Sequence, residues 1–187
     1  LIIGVILLFF IFNNLISFEN LKAKDLEEKN SSNDLVIIAC IMLFSMFALG
    51  LTFQISQTSI PKVFDIRIEN ISTFAIGSII GIIYGIAGLM TFVGGLMADK
   101  FSLKKIYVIG IAAQAPCFFF IAYFSGIPLI FVFLIAAMFN SSVLPTENIL
   151  LAKFTPEKHH GLIYGVKFIV AFGSAPIAVF LISKIYE

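Results

Sequence analysis

The chain has 187 residues, 60% of them apolar and 12% charged, with a mean hydropathy of +1.07 and a formal net charge of +1. Soluble domains run at about half apolar and a quarter charged, and a surface that must face water cannot absorb this excess, whereas lipid can. The near-zero net charge, with no basic patch interleaved with aromatics, excludes a nucleic-acid binder.

A helix needs roughly 20 apolar residues to cross a hydrocarbon core of about 30 Å. The first such run is 1–18, which lacks the basic start and small-residue cleavage site of a signal peptide and therefore reads as a spanning segment. No initiator Met precedes Leu1, which already stands inside an apolar run, so the chain is expected to be a piece of a longer protein. A short charged stretch, 19–34, separates this run from the second, 35–60. The third run is 71–98. The fourth, 106–146, has 41 residues and would extend about 60 Å as one helix, twice the core thickness. It must fold back, and Ser125-Gly126-Ile127-Pro128 supplies the turn chemistry. It therefore divides into spans over about 106–124 and 129–152. A last run, 161–183, makes six. The runs are continuously apolar rather than alternating, which selects helices over barrel strands. The expected fold is an all-α, polytopic transmembrane bundle. Tyr107 and Tyr123 flank the fourth span, where such rings favour the headgroup layer.

Basic residues orient the bundle. The first, third and fifth loops carry Lys22, Lys24, Lys29, Lys100, Lys104, Lys105, Lys153 and Lys158; the second has Lys62 and Arg67, and the fourth has none. Eight against two places the odd loops in the cytoplasm. Cys40 and Cys117 each lie inside an apolar run and suggest neither a disulfide frame nor a metal site. His159 and His160 adjoin on a loop with no third ligand at metal spacing, so a solvated loop is expected there, with no metal and no cofactor.

Gly94-Gly95-Leu96-Met97-Ala98-Asp99-Lys100-Phe101-Ser102-Leu103-Lys104-Lys105 joins the third and fourth spans. The glycines let a helix end approach a neighbour, Asp99 offers a carboxylate that the positive end of another helix attracts, and the lysines hold the loop at the cytoplasmic surface. This stretch resembles the cytoplasmic signature of the major facilitator superfamily, with Gly95, Asp99, Lys100, Lys104 and Lys105 matching. Ser102 replaces the motif's second Gly and Leu103 a basic residue, departures that weaken turn geometry and local charge. The loop from Ala152 to Gly161, in which Pro156 precedes basic residues and a Gly, is similar more loosely to the family's tenth-to-eleventh connection. The resemblance implies that 19–34 is the linker between two six-helix halves. The six spans would then correspond to the family's sixth to eleventh helices, without the final helix and without the rest of the N-terminal half. It further implies a secondary transporter of a small solute in the cell membrane (plasma or inner). In such a transporter the signature Asp latches one half to the other in the outward-open state.

Polar residues at membrane depth complete the expected site. Glu147 and Lys167 lie six residues from Lys153 and Gly161 on neighbouring antiparallel spans and are expected to face each other. They are read as a structural ion pair or, alternatively, as a proton-coupling or substrate-contacting site. Gly50, Gln54, Gln57 and Pro61 form one helical stripe. Asn140, Ser141, Glu147 and Asn148 share an arc of about 120°. Such stripes face a water-filled cavity or bond between helices, and the family's seventh and tenth helices, to which these spans map, line the substrate path. Gly77, Gly81 and Gly85, and Gly161 and Gly165, form small-residue ladders expected to bring helices close. The alternatives, an integral membrane enzyme or a non-transporting subunit, find less support. No P-loop occurs, no His pair is spaced for zinc with a Glu, and Gly173-Ser174-Ala175 lacks the flanking Gly of an intramembrane serine protease.

Overall fold

A computed structural model of the protein describes residues 32–153, 155 and 160–186, all helices and short turns. Five helices follow in order: α1 (Ser32–Arg67), α2 (Thr73–Lys100), α3 (Leu103–Tyr123), α4 (Ile127–Lys153) and α5 (His160–Tyr186). Four of them, α2 to α5, are long and apolar enough to cross a membrane. The first predicted span and the linker up to residue 31 lie outside the described residues. In hydrocarbon every backbone N–H and C=O must be satisfied within the chain, which is why continuously apolar runs become helices. The 106–146 run does fold back: α3 stops at Tyr123, and Gly126 takes φ +64 before α4 begins.

One boundary differs from expectation. α1 runs through Pro61 to Arg67, so Lys62 and Arg67 stand on the helix and the loop shrinks to 68–72. The cause lies across the unit. Arg67 Nη1 donates to the carbonyls of Ile121 (2.9 Å), Ala122 (2.7 Å) and Phe124 (3.4 Å), and the Arg67 carbonyl accepts from the Gly126 N–H (3.0 Å). The last carbonyls of a helix lack intrahelical partners and carry the negative end of its dipole. A guanidinium there satisfies both needs, and α1 must extend to deliver it. In the short loop that follows, Asn70 adopts φ 55, a region Asn tolerates. Ser72 then caps α2, its hydroxyl accepting from the Ala75 N–H at 3.2 Å.

The chain divides into two compact units. Among the described residues the first comprises Pro61–Ile149: the end of α1, α2, α3 and most of α4. Its core holds Phe64, Ile83, Ala87, Leu129 and Phe133. The Phe133 ring meets Phe64 (centroids 5.9 Å apart) and Tyr84 (6.2 Å), each edge-on, the arrangement that aromatic quadrupoles favour. The second unit contains 32–60 and the residues from Leu150 onward. There Gly50 of α1 approaches α5 so closely that a Cβ would lie 3.1 Å from Cα and O of Ala171. Small residues let two backbones gain dispersion contacts in this way, which matters in lipid because apolar side chains gain nothing by leaving the hydrocarbon.

Large apolar side chains point outward: Phe74 is 85% exposed and Phe92 78%. In water such a surface would drive aggregation. Against acyl chains it is neutral.

The glycine ladders behave differently from expectation. A Cβ added at Gly77, Gly81, Gly85, Gly161 or Gly165 would meet no atom within 4 Å, while among the described residues Gly50, Gly94 and Gly110 are the glycines in tight contact. Spacing alone identifies a small-residue stripe, and only packing decides which stripe is covered.

Candidate functional site

The signature residues gather at one end of the first unit. Gly95, Asp99 and Lys100 occupy the last turns of α2, and Lys104 and Lys105 the first turn of α3. Asp99, Lys100 and Lys105 are exposed, Gly95 and Lys104 half-buried. Lys100 complements the negative end of α2, but two lysines at the start of α3 oppose its dipole. Their charge is therefore not placed to suit the helix dipole, and it suits an electrostatic role at the membrane surface. Between the helices Phe101 and Ser102 are both extended (φ −117 and −64). Neither needs a left-handed backbone, so Ser102 fills the place of the motif's second Gly without strain. The turn geometry is not weakened by that departure.

Directly beneath this turn, Gly94 is buried against α4. A Cβ on it would fall on the Ser142 carbonyl oxygen, 2.8 Å from the Ser142 C and 2.9 Å from its Cα. One helix further round, Gly110 of α3 faces the Val143 Cγ2. The pairs Tyr84–Phe133 and Gly94–Ser142 advance together, so α2 and α4 are parallel. Gly110–Val143 and Gln114–Asn140 run in opposite directions, so α3 is antiparallel to both. The signature turn is thereby fixed to the segment of α4 that carries the polar arc.

On that arc Asn140 and Ser141 are half-buried and Asn148 is exposed. Asn140 Nδ2 donates to Gln114 Oε1 at 3.3 Å, and Gln114 Nε2 in turn donates to the Gly110 carbonyl at 3.4 Å. Gln114 is itself buried. It is the one amide side chain of α3, and a lone amide forms no pattern along the chain that marks it in advance. Arg67 was assigned only to a loop.

Glu147 and Lys167 are both buried, at 4% and 6% exposure. They belong to different units, Glu147 to the first and Lys167 to the second. On α1, Gln54 is half-buried and Gln57 exposed, while Thr52 and Ser56 turn their hydroxyls back to the Ala48 and Thr52 carbonyls (2.8 Å each). His160 is not the solvated loop residue expected. It opens α5, half-buried, with Nε2 3.2 Å from the Ala152 carbonyl and 2.8 Å from that of Thr155. Cys117 is a buried free thiol that donates to the Ala113 carbonyl (3.3 Å). Among the described residues no group of three His, Cys, Asp or Glu side chains could hold a metal ion.

Comparison with known families matches residues 35–187 to the model of the Major Facilitator Superfamily. Comparison with curated proteins and with solved structures gives no significant match.

Proposed function

The chain belongs to the major facilitator superfamily, and from that premise we propose that it forms part of a secondary transporter moving a small solute by alternating access. Members of this family are multi-pass membrane transporters rather than enzymes, and four apolar, lipid-exposed helices agree with that. The single observation that carries the reading is the family match over 35–187, within which the signature residues form the α2–α3 turn.

In this reading six spans, the first within 1–18, correspond to the family's sixth to eleventh helices, and 19–34 links the two halves. The odd loops face the cytoplasm and the protein resides in the cell membrane, plasma or inner. The remainder of the N-terminal half is the partner that completes the solute path. Asp99, exposed at the end of α2, is the latch toward that half. Gln54, Gln57, Asn140 and Ser141 line the path. Glu147 and Lys167 are a structural charge pair, with proton coupling through Glu147 the alternative. Burial of both supports a role beyond surface solvation, since an ionisable group inside a membrane protein is costly unless it has a task.

The test is topological and functional together. Accessible tags placed at Ser102 and at Ser125 are expected to report from opposite sides of the membrane, Ser102 from the cytoplasm. The whole protein reconstituted in vesicles is expected to transport, and residues 1–187 alone are not. Tags reporting from one side, or transport by residues 1–187 alone, would overturn the reading.

A further inference from the structure

Asn and Gln amides are two-faced, with a donor on one side and an acceptor on the other, so the orientation of a path-lining amide decides what it offers a solute. The orientation of Asn140 is dictated from behind. The Gly110 carbonyl can only accept, so the part of the Gln114 amide facing it at 3.4 Å must be the NH2. That turns Gln114 Oε1 toward Asn140, which must then donate, as its Nδ2 does at 3.3 Å. Gln114 is 4% exposed and cannot exchange these partners for water without leaving buried polar atoms unpaired. Asn140 Oδ1 is left pointing away from the pair, and no described residue donates to it.

We propose that Gln114 is a positioning residue that locks the Asn140 amide, so that α4 presents a hydrogen-bond acceptor at this level of the solute path. The inference rests on the reading of α4 as path-lining. It assigns the chemistry of that lining: Asn140 Oδ1 accepts from a hydroxyl or ammonium group of the solute. Ser141, next on the same arc, can adapt as donor or acceptor, so Asn140 is the selective member of the two. Gln114 touches no solute and acts only through Asn140.

Side-chain amide hydrogen exchange of the whole protein, labelled with ¹⁵N-asparagine and ¹⁵N-glutamine and followed by NMR, tests the lock. The exposed Asn70 serves as reference. The Asn140 NH2 is expected to exchange roughly tenfold more slowly than that of Asn70, the order set by one retained hydrogen bond. Gln114→Leu is expected to erase the difference, and Gln114→Glu, whose neutral carboxyl can donate to Gly110 and accept from Asn140, to restore it. Backbone exchange in α3 and α4 controls for folding. Fast exchange of Asn140 in the parent, or slow exchange that survives Gln114→Leu, overturns the inference. Maleimide labelling of Ser141→Cys from the aqueous phase tests the underlying reading separately. Labelling supports a path along this arc. Its failure removes the path, and with it the presentation to solute, whatever the exchange rates show.

Discussion

Replacing Gly94 by Ala adds a single carbon and tests the geometry of the signature end of the bundle. The new Cβ would collide with the Ser142 carbonyl, approaching C at 2.8 Å and Cα at 2.9 Å where ordinary contacts begin near 3.4 Å. The obstacle is backbone, so no rotamer change relieves it, and relieving the contact with the Ser142 oxygen requires α2 and α4 to part by roughly 1 Å. Overpacking of this kind costs about 1–3 kcal/mol, against a gain of roughly 0.5–1 kcal/mol from replacing a helical glycine. Because the obstacle is backbone, the upper end of that cost applies, and a net loss of about 2 kcal/mol is expected. Gly95→Ala is the internal control: one residue along, a Cβ there meets nothing within 4 Å, so the same helix gain of roughly 0.5–1 kcal/mol appears unopposed. The two variants should differ by roughly 2–3 kcal/mol in opposite directions. A thiol-reactive fluorophore in a Cys40→Ser background reads the unfolding, because Cys117 is buried and reacts once the helices separate. Equal shifts for Gly94→Ala and Gly95→Ala would refute the close approach of α2 to α4.

Three further outcomes are expected. Gly110→Ala should destabilise less than Gly94→Ala, by about 1 kcal/mol, because its obstacle is a Val143 methyl that can yield somewhat despite its β-branched stiffness; thermal unfolding in the same assay compares them. Arg67→Met leaves the Ile121, Ala122 and Phe124 carbonyls without their donor and should cost about 1–2 kcal/mol, with faster backbone exchange in the 123–127 turn; an unchanged exchange pattern would show the clamp to be idle. Glu147→Gln should lower stability yet leave the pH profile of transport in vesicles unchanged, as a structural charge would; a flattened profile would move Glu147 to proton coupling.

What the sequence made legible was the lipid-crossing character and the places where helices end. Continuous apolar runs left no alternative to helices, and Ser125-Gly126 announced a turn that the backbone at Gly126 then required. Ends governed by partners far along the chain were not legible. The apolar run ends at residue 60, but an apolar environment tolerates the internal Pro61, and the pull of the α3 carbonyls on Arg67 carries α1 seven residues beyond the run. Gly77, Gly81 and Gly85 looked like the contact face of α2 by spacing, whereas Gly94 carries the contact, because spacing cannot say which side of a helix meets a neighbour. Within the candidate site, the signature residues were found by their order along the chain. Gln114 was not, since a lone amide has no pattern and acquires meaning only through Asn140 opposite it.

The parallel packing of α2 on α4 has a consequence for biogenesis. The notch at Gly94 is filled by Ser142, which leaves the ribosome 48 residues later, roughly 2–10 s at 5–20 residues per second. During that interval the α2–α3 hairpin sits in the bilayer with its notch open to lipid or to whatever the insertion machinery supplies. A translational stall between these two points would prolong that exposure, so delivery of α4, rather than insertion of α2, sets when the signature end of the bundle matures.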